Sequence, residues 1–251
     1  MKNKPKIAIV SLTSCEGCQF ALLDLGKKFF DFLNNVELLD FGLIEDKPFI
    51  KEKVDVVFVE GNPITKENIK TLKKVRKQAK FLVVLGNCAA LGGIPEMKNY
   101  EPKEKTIKFL YKKLKNVANP EIKEIDNFVK VDFTIPGCPI TGLEFLRIAE
   151  ELIAGKTPEI LQNPVCSECP RRGTPECFFI KKEICFGPVS LAGCGAICPK
   201  FGRACLSCRG FLKKADIKTF IAGLEKFKSR EEIDDNLEIF GLKDILEHKK
   251  I

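Results

Sequence analysis

The sequence predicts an α/β protein: a doubly wound parallel sheet over residues 1–155, followed by a smaller, irregular unit over 156–251 that ends in helices. Three observations predict it. Apolar runs of strand length alternate with amphipathic helical stretches through the first 155 residues, the order that builds a parallel sheet with helices on both faces. After Gly155 the periodicity stops, and Gly, Pro and Cys dominate to about residue 210. Helical spacing then returns at Ile217, Phe220, Ile221 and Leu224.

Each element has its own signal. Residues 6–12 form an apolar run of strand length, and 19–34 place Leu22, Leu25, Phe29 and Leu33 at helical spacing. Residues 36–41 and 54–59 read as further strands. Gly61-Asn62-Pro63 breaks the chain, and Thr65 is placed to cap a helix running to about Ala79, with Ile69, Leu72, Val75 and Ala79 on one face. Residues 81–85 are a continuous apolar strand, 103–114 a helix, 128–133 a fifth strand, and 141–154 a helix stopped by Gly155 and Pro158. Strand and helix in this alternation imply a flavodoxin-like sheet, whose ligands sit beyond the carboxyl ends of the strands. Residues 156–210 hold too little apolar material for a core of their own and would need metal to fold.

Composition narrows the function. The longest apolar runs, 7–10 and 81–85, are far short of a membrane span. The N-terminal apolar stretch is too short for a secretory leader and lacks a cleavage site, so the expected location is the cytoplasm. The formal net charge is +8, but the lysines are scattered at helix-like spacing on solvated faces, which speaks against nucleic acid. The single histidine, His248, lies in a charged tail. It leaves no supply for haem or histidine-ligated zinc.

The twelve cysteines carry the chemistry. In a reducing compartment such pairs signify metal or catalysis rather than disulfides. Cys15, Cys88 and Cys138 each follow shortly after an expected strand, so the fold itself brings them to the ligand-binding edge of the sheet. Cys18 joins them at the entrance to the first helix, whose free N–H groups could stabilise thiolates and sulfides. Gly86 and Gly137 would let backbone approach closely, and Pro139 follows Cys138 as Pro often follows a cluster cysteine. Thr13, Ser14 and Asn87 are candidate hydrogen-bond donors around this set, and local turn capping accounts for them equally well. The other eight cysteines divide most simply by order into Cys166, Cys169, Cys177, Cys185 and Cys194, Cys198, Cys205, Cys208. Spacing leaves interleaved ligation open. Four thiolates are one complete ligand set for an iron–sulfur cube, so twelve can hold three. Three oxidised cubes would cancel about 6 of the positive charges. Zinc on four-cysteine sites is the chemical rival and would make the chain a binding module.

The segments Thr13-Ser14-Cys15-Glu16-Gly17-Cys18-Gln19, Gly86-Asn87-Cys88-Ala89, Pro136-Gly137-Cys138-Pro139, Gly187-Pro188-Val189, Ala192-Gly193-Cys194, Cys198-Pro199, Phe201-Gly202 and Cys205-x2-Cys208-Arg209-Gly210 resemble the small subunit of [NiFe] hydrogenases. The resemblance covers nearly the whole chain and all twelve cysteines in order. It is strongest to the cytoplasmic multisubunit branch and, within that, to the delta subunit of NAD(P)-linked hydrogenases, also called sulfhydrogenases.

The resemblance implies an electron-transfer subunit with no catalytic residue of its own. Cys15, Cys18, Cys88 and Cys138 would bind a proximal [4Fe–4S] cluster facing the [NiFe] centre of a separate large subunit. Cys194, Cys198, Cys205 and Cys208 would bind a medial cluster, and Cys166, Cys169, Cys177 and Cys185 a distal one. Other partners would carry iron–sulfur clusters, FAD and NAD(P). Membrane-bound and periplasmic relatives use a His where this chain has Cys166, often have a Pro where it has Cys198, and carry an export leader. The first two departures point to three four-iron clusters. Hydrogenases serving a deazaflavin coenzyme or a heterodisulfide reductase are the alternative within the family. The one-cluster subunit of complex I lacks the eight later cysteines.

Overall fold

The computed structural model describes residues 4–44, 52–101 and 120–248. Five parallel strands form one sheet in the order β2-β1-β3-β4-β5: β1 is Lys6–Ser11, β2 Glu37–Phe41, β3 Val54–Glu60, β4 Ala79–Leu85 and β5 Phe133–Ile135. This is the expected flavodoxin-like, doubly wound order.

Side chains alternate across the central strands, as the two-residue period requires. Ile7, Ile9, Val56, Phe58, Val83 and Leu85 face one layer with Leu22, Phe29, Phe32, Phe145, Ile148 and Leu152. Ala8, Val10, Val57, Val59, Leu82 and Val84 face the other with Leu72, Val75, Ala89 and Ile125. Both faces are covered, which is why these strands read as continuous apolar runs. Phe145 packs on Phe58 with ring centroids 4.7 Å apart.

The first layer holds α1 (Gly17–Leu23), α2 (Lys27–Leu33) and α6 (Gly142–Ile153), and the second α3 (Lys66–Gln78) and α4 (Gly86–Leu91). Thr65 caps α3 as expected: its side chain accepts from the Asn68 N–H, and Asn68 answers on the Thr65 N–H. The single helix expected over 19–34 is instead α1 and α2, separated at Gly26, whose φ of +54° is a left-handed conformation that ends the first helix.

The fifth strand is shorter and later than expected. Residues 128–131 pack beside the second layer, with Phe128, Val129 and Val131 partly buried there. The Asp132 carboxylate accepts from the Leu82 N–H at 2.9 Å and pairs with Arg76. The Asp132 N–H also donates to the Leu82 carbonyl at 2.9 Å, so Asp132 meets β4 through both its backbone and its side chain, and the residue-to-residue pairing begins with Val83 and Phe133. The helix expected at 103–114 lies outside the described residues.

α5 (Gly93–Tyr100) follows α4. Beyond residue 155 the chain forms only short pieces, including α7 (Ile197–Lys200), until α8 (Ile217–Leu224), α9 (Arg230–Glu238) and α10 (Leu242–His248). Residues 156–210 make a small cluster of Val165, Cys185, Ala196 and Cys205. Phe186 and Val189 are buried against Ile217, Ile221, Leu224, Ile233, Leu237 and Leu242 of the tail helices. Apolar burial for the cysteine-rich stretch is therefore supplied by the tail.

Candidate metal centres at the strand ends

The carboxyl ends of β1, β3, β4 and β5 lie side by side, and the loops that leave them bring together Cys15, Cys18, Cys88 and Cys138. The thiols are electrostatic neighbours: Cys88 feels Cys15, and Cys138 feels both Cys88 and Cys15. Burial pushes Cys88 and Cys138 up to about 11 and drives Cys18 higher still. A metal would have to displace those protons. Space around the sulfurs is kept by glycine. A Cβ on Gly86, whose φ is +80°, would stand 2.5 Å from Cys18 Sγ, and one on Gly17 would stand 3.3 Å from Cys15 Sγ.

The later eight cysteines lie near one another. Cys166 feels Cys185, Cys169 and Cys177, and Cys198 feels Cys194. Burial raises Cys166 and Cys208 to about 11 and Cys205 to about 12. Gly187 does for one group what Gly86 does for the first set: a Cβ there would lie 3.3 Å from Cys166 Sγ and 3.5 Å from Cys185 Sγ.

Contacts among a few residues join the three sets. Cys208 feels Cys194, Cys138 and Cys198, and the Cys138 backbone hydrogen-bonds its thiol. Asn87, one residue before Cys88, donates its amide N–H to the Cys208 carbonyl at 3.0 Å. Cys205 feels both Cys185 and Cys208, and its thiol lies 3.5 Å from Ser190 Oγ. Cys205 and Cys208 therefore lie between Cys185 on one side and Cys138 on the other.

All twelve cysteines are unpaired thiols. Four-thiol sets with glycine-cleared space fit the donor chemistry of iron–sulfur cubes, which would supply one-electron transfer when bound.

The candidate donors fare differently. Ser14 Oγ hydrogen-bonds Ser11 and Glu16, a local turn contact, whereas Thr13 Oγ1 donates to Asn68 Oδ1 at 2.8 Å and ties its loop to the start of α3. Asn87 instead reaches across to the loop of the last cysteine.

Sequence reasoning missed four polar residues at these joints. Glu60 ends β3 and is 3% exposed. It accepts from the Cys18 N–H at 3.0 Å, and from the Gln19 N–H and Nε2 at 3.3 and 3.0 Å. The N–H groups expected to face the cluster from the start of α1 are thus taken by a carboxylate. Arg209 and Glu144 pair where the last cysteine loop meets α6. The only sequence signals were an acid closing the apolar run of 54–59 and the Arg that follows the last cysteine.

The part of the chain spanning residues 15–152 matches the family described as NADH ubiquinone oxidoreductase, 20 Kd subunit. The later eight cysteines lie beyond that match. The chain is 33% identical over 240 residues to the delta subunit of sulfhydrogenase 2 from Pyrococcus furiosus, covering 94% of this chain and 99% of the relative. It is 33% identical over 239 residues to a subunit of the vhu F420-non-reducing hydrogenase from Methanocaldococcus jannaschii, covering 84% and 83%. Among solved structures, an NAD+-reducing [NiFe]-hydrogenase in the H2-reduced state aligns with a TM-score of 0.56 at 25% identity, over 63% of this chain and 96% of that one. No helix among the described residues is long and apolar enough to cross a membrane. The chain belongs to the NADH ubiquinone oxidoreductase 20 Kd subunit family and, within it, to the small, or delta, subunits of [NiFe] hydrogenases.

Proposed function

We propose that this chain carries electrons between the nickel–iron site of a large subunit and a flavin- and NAD(P)-linked partner through three [4Fe–4S] clusters. The observation that carries the reading is the row of thiols, in which Cys208 adjoins Cys138 and Cys205 adjoins Cys185. A row gives each electron a neighbouring acceptor at either end. Cys15, Cys18, Cys88 and Cys138 hold the proximal cluster. Cys194, Cys198, Cys205 and Cys208 hold the medial one, and Cys166, Cys169, Cys177 and Cys185 the distal one. Residues 1–155 form the unit with the proximal site, and 156–251 the unit with the other two. The protein's task is to seat the clusters, limit their contact with water and tune them by hydrogen bonds. Operation in the reducing cytoplasm suits twelve unpaired thiols.

A second reading keeps the relay and changes the acceptor to a deazaflavin-coenzyme or heterodisulfide-reductase system. The equal, 33% identity to the Methanocaldococcus relative, whose name excludes reduction of F420 itself, favours its heterodisulfide-reductase form over its deazaflavin form. Coverage of the sulfhydrogenase delta chain from end to end favours the first.

Anaerobic purification of the native complex tests both. The relay requires about twelve irons with matching sulfide on this chain and paramagnetic signals after reduction. A flavin subunit with a pyridine-nucleotide site selects the first reading, and a heterodisulfide reductase selects the second. A chain holding about two or three zincs instead would sink both.

A further inference from the structure

Glu60 is out of place for a sheet residue. It terminates β3 at the ligand-binding edge, is 3% exposed, and sits among thiols that must bear negative charge when they bind metal. Its hydrogen-bond partners among the described residues are neutral N–H groups: Cys18 N at 3.0 Å, Gln19 N at 3.3 Å and Gln19 Nε2 at 3.0 Å. Gln19 is itself fully buried and also donates to Glu16. Three N–H donors satisfy the carboxylate without a countercharge, so its field is not cancelled locally.

That field reaches the first set of thiols. The N–H from which Glu60 accepts at 3.0 Å is that of Cys18, a member of the set, so the buried carboxylate lies one residue's width from the centre. A buried negative charge held there opposes an added electron at the same centre.

We propose that Glu60 is a positioning residue that sets the reduction potential of the first four-cysteine centre, its buried charge disfavouring the reduced state and passing the electron on toward the Cys208 side. The step is a one-electron reduction in which no bond is made or broken; the electron comes from the partner subunit or from a chemical reductant. This rests on the relay reading above.

The test is a reductant titration of the anaerobically purified complex, followed by paramagnetic resonance. The first-set signal is identified as the component lost in Cys88→Ser. Glu60→Gln keeps the size and an acceptor for the Cys18 N–H but removes the charge. Its first-set midpoint is expected to move positive by at least a tenfold change in the reduced-to-oxidised ratio at fixed potential, ~59 mV for one electron. Glu60→Asp keeps the charge and is expected to stay near the parent. An unchanged midpoint in Glu60→Gln, loss of first-set iron in that variant, or an equal shift in Glu60→Asp would overturn the assignment and leave Glu60 a scaffold residue. Absence of every cluster signal from the unsubstituted complex would instead sink the relay reading itself.

Discussion

Arg209 and Glu144 form an ion pair at 2.9 Å across the joint between the last cysteine loop and α6. The Arg side chain is 2% exposed. Its remaining N–H groups are used as well, Nε donating to the Ala192 carbonyl at 2.9 Å and Nη1 to the Pro136 carbonyl at 2.8 Å. One guanidinium therefore holds the segments before Cys138 and before Cys194 in register. Replacing it by Arg209→Met strands Glu144 and two carbonyls, and is expected to cost about 3–5 kcal/mol. Arg209→Lys keeps the charge but lacks the fork, so it should fall between. Denaturant midpoints of the iron-loaded protein check this, and a loss under about 1 kcal/mol in the Met variant would show that the joint is held elsewhere.

Gly86→Ala should empty the first set. The substitution puts a Cβ 2.5 Å from Cys18 Sγ at a φ of +80°, where an L side chain is strained even without a neighbour. Iron should fall by about four of about twelve per chain, with the later sets retained. Iron and sulfide analysis measures this, and full iron content would refute the cradle.

Glu96 gives the fold a pH dependence. It is 2% exposed, and burial, then the charges of Asp244, Glu124 and Glu121, push its carboxyl up to about 8. The folded chain holds this proton more tightly than the unfolded chain, whose carboxyl titrates near 4.5. The stabilisation is therefore complete below about pH 4.5, declines above it, and is gone once pH passes about 8. Glu96→Gln mimics the protonated form and should flatten that slope, gaining on the order of 1–3 kcal/mol at pH 8. Urea midpoints for both proteins at about pH 6 and pH 8.5 decide it. Parallel pH curves would place the proton elsewhere.

Cys177→Ser separates orderly from interleaved ligation. If Cys166, Cys169, Cys177 and Cys185 serve one centre, iron falls by about four and the first-set signal keeps its midpoint. Loss of about eight irons would mean that the two later groups exchange ligands.

The sheet was legible because its strands are buried on both faces: Val54–Glu60 and Ala79–Leu85 can hardly be anything else. The convergence of Cys15, Cys88 and Cys138 followed from that topology alone. The break at Gly26 was harder to read, since Leu25 and Phe29 keep helical spacing across it and only the glycine's positive φ ends the helix. The fifth strand comes later than its apolar pattern suggests because Phe128, Val129 and Val131 are spent packing beside the second layer, and pairing with β4 runs only over Phe133–Ile135. Glu60, Gln19, Glu144 and Arg209 were illegible as site residues because carboxylates, amides and guanidinium groups occur on every surface. Only the fold reveals that Glu60, Gln19 and Arg209 are buried and that Glu144 pairs with Arg209.

The bond from Asn87 to the Cys208 carbonyl has a consequence for how the protein can be divided. The two halves look separable on paper, the boundary falling at a glycine. Yet the seam between them runs through the thiols, with Cys208 resting on the loops of Asn87 and Cys138. A cut at residue 155 would free the two sides of that contact from each other's chain, and on the proposed relay it would loosen the spacing between the first centre and the next. Swapping either half for a relative's would therefore need the partner loop carried along with it.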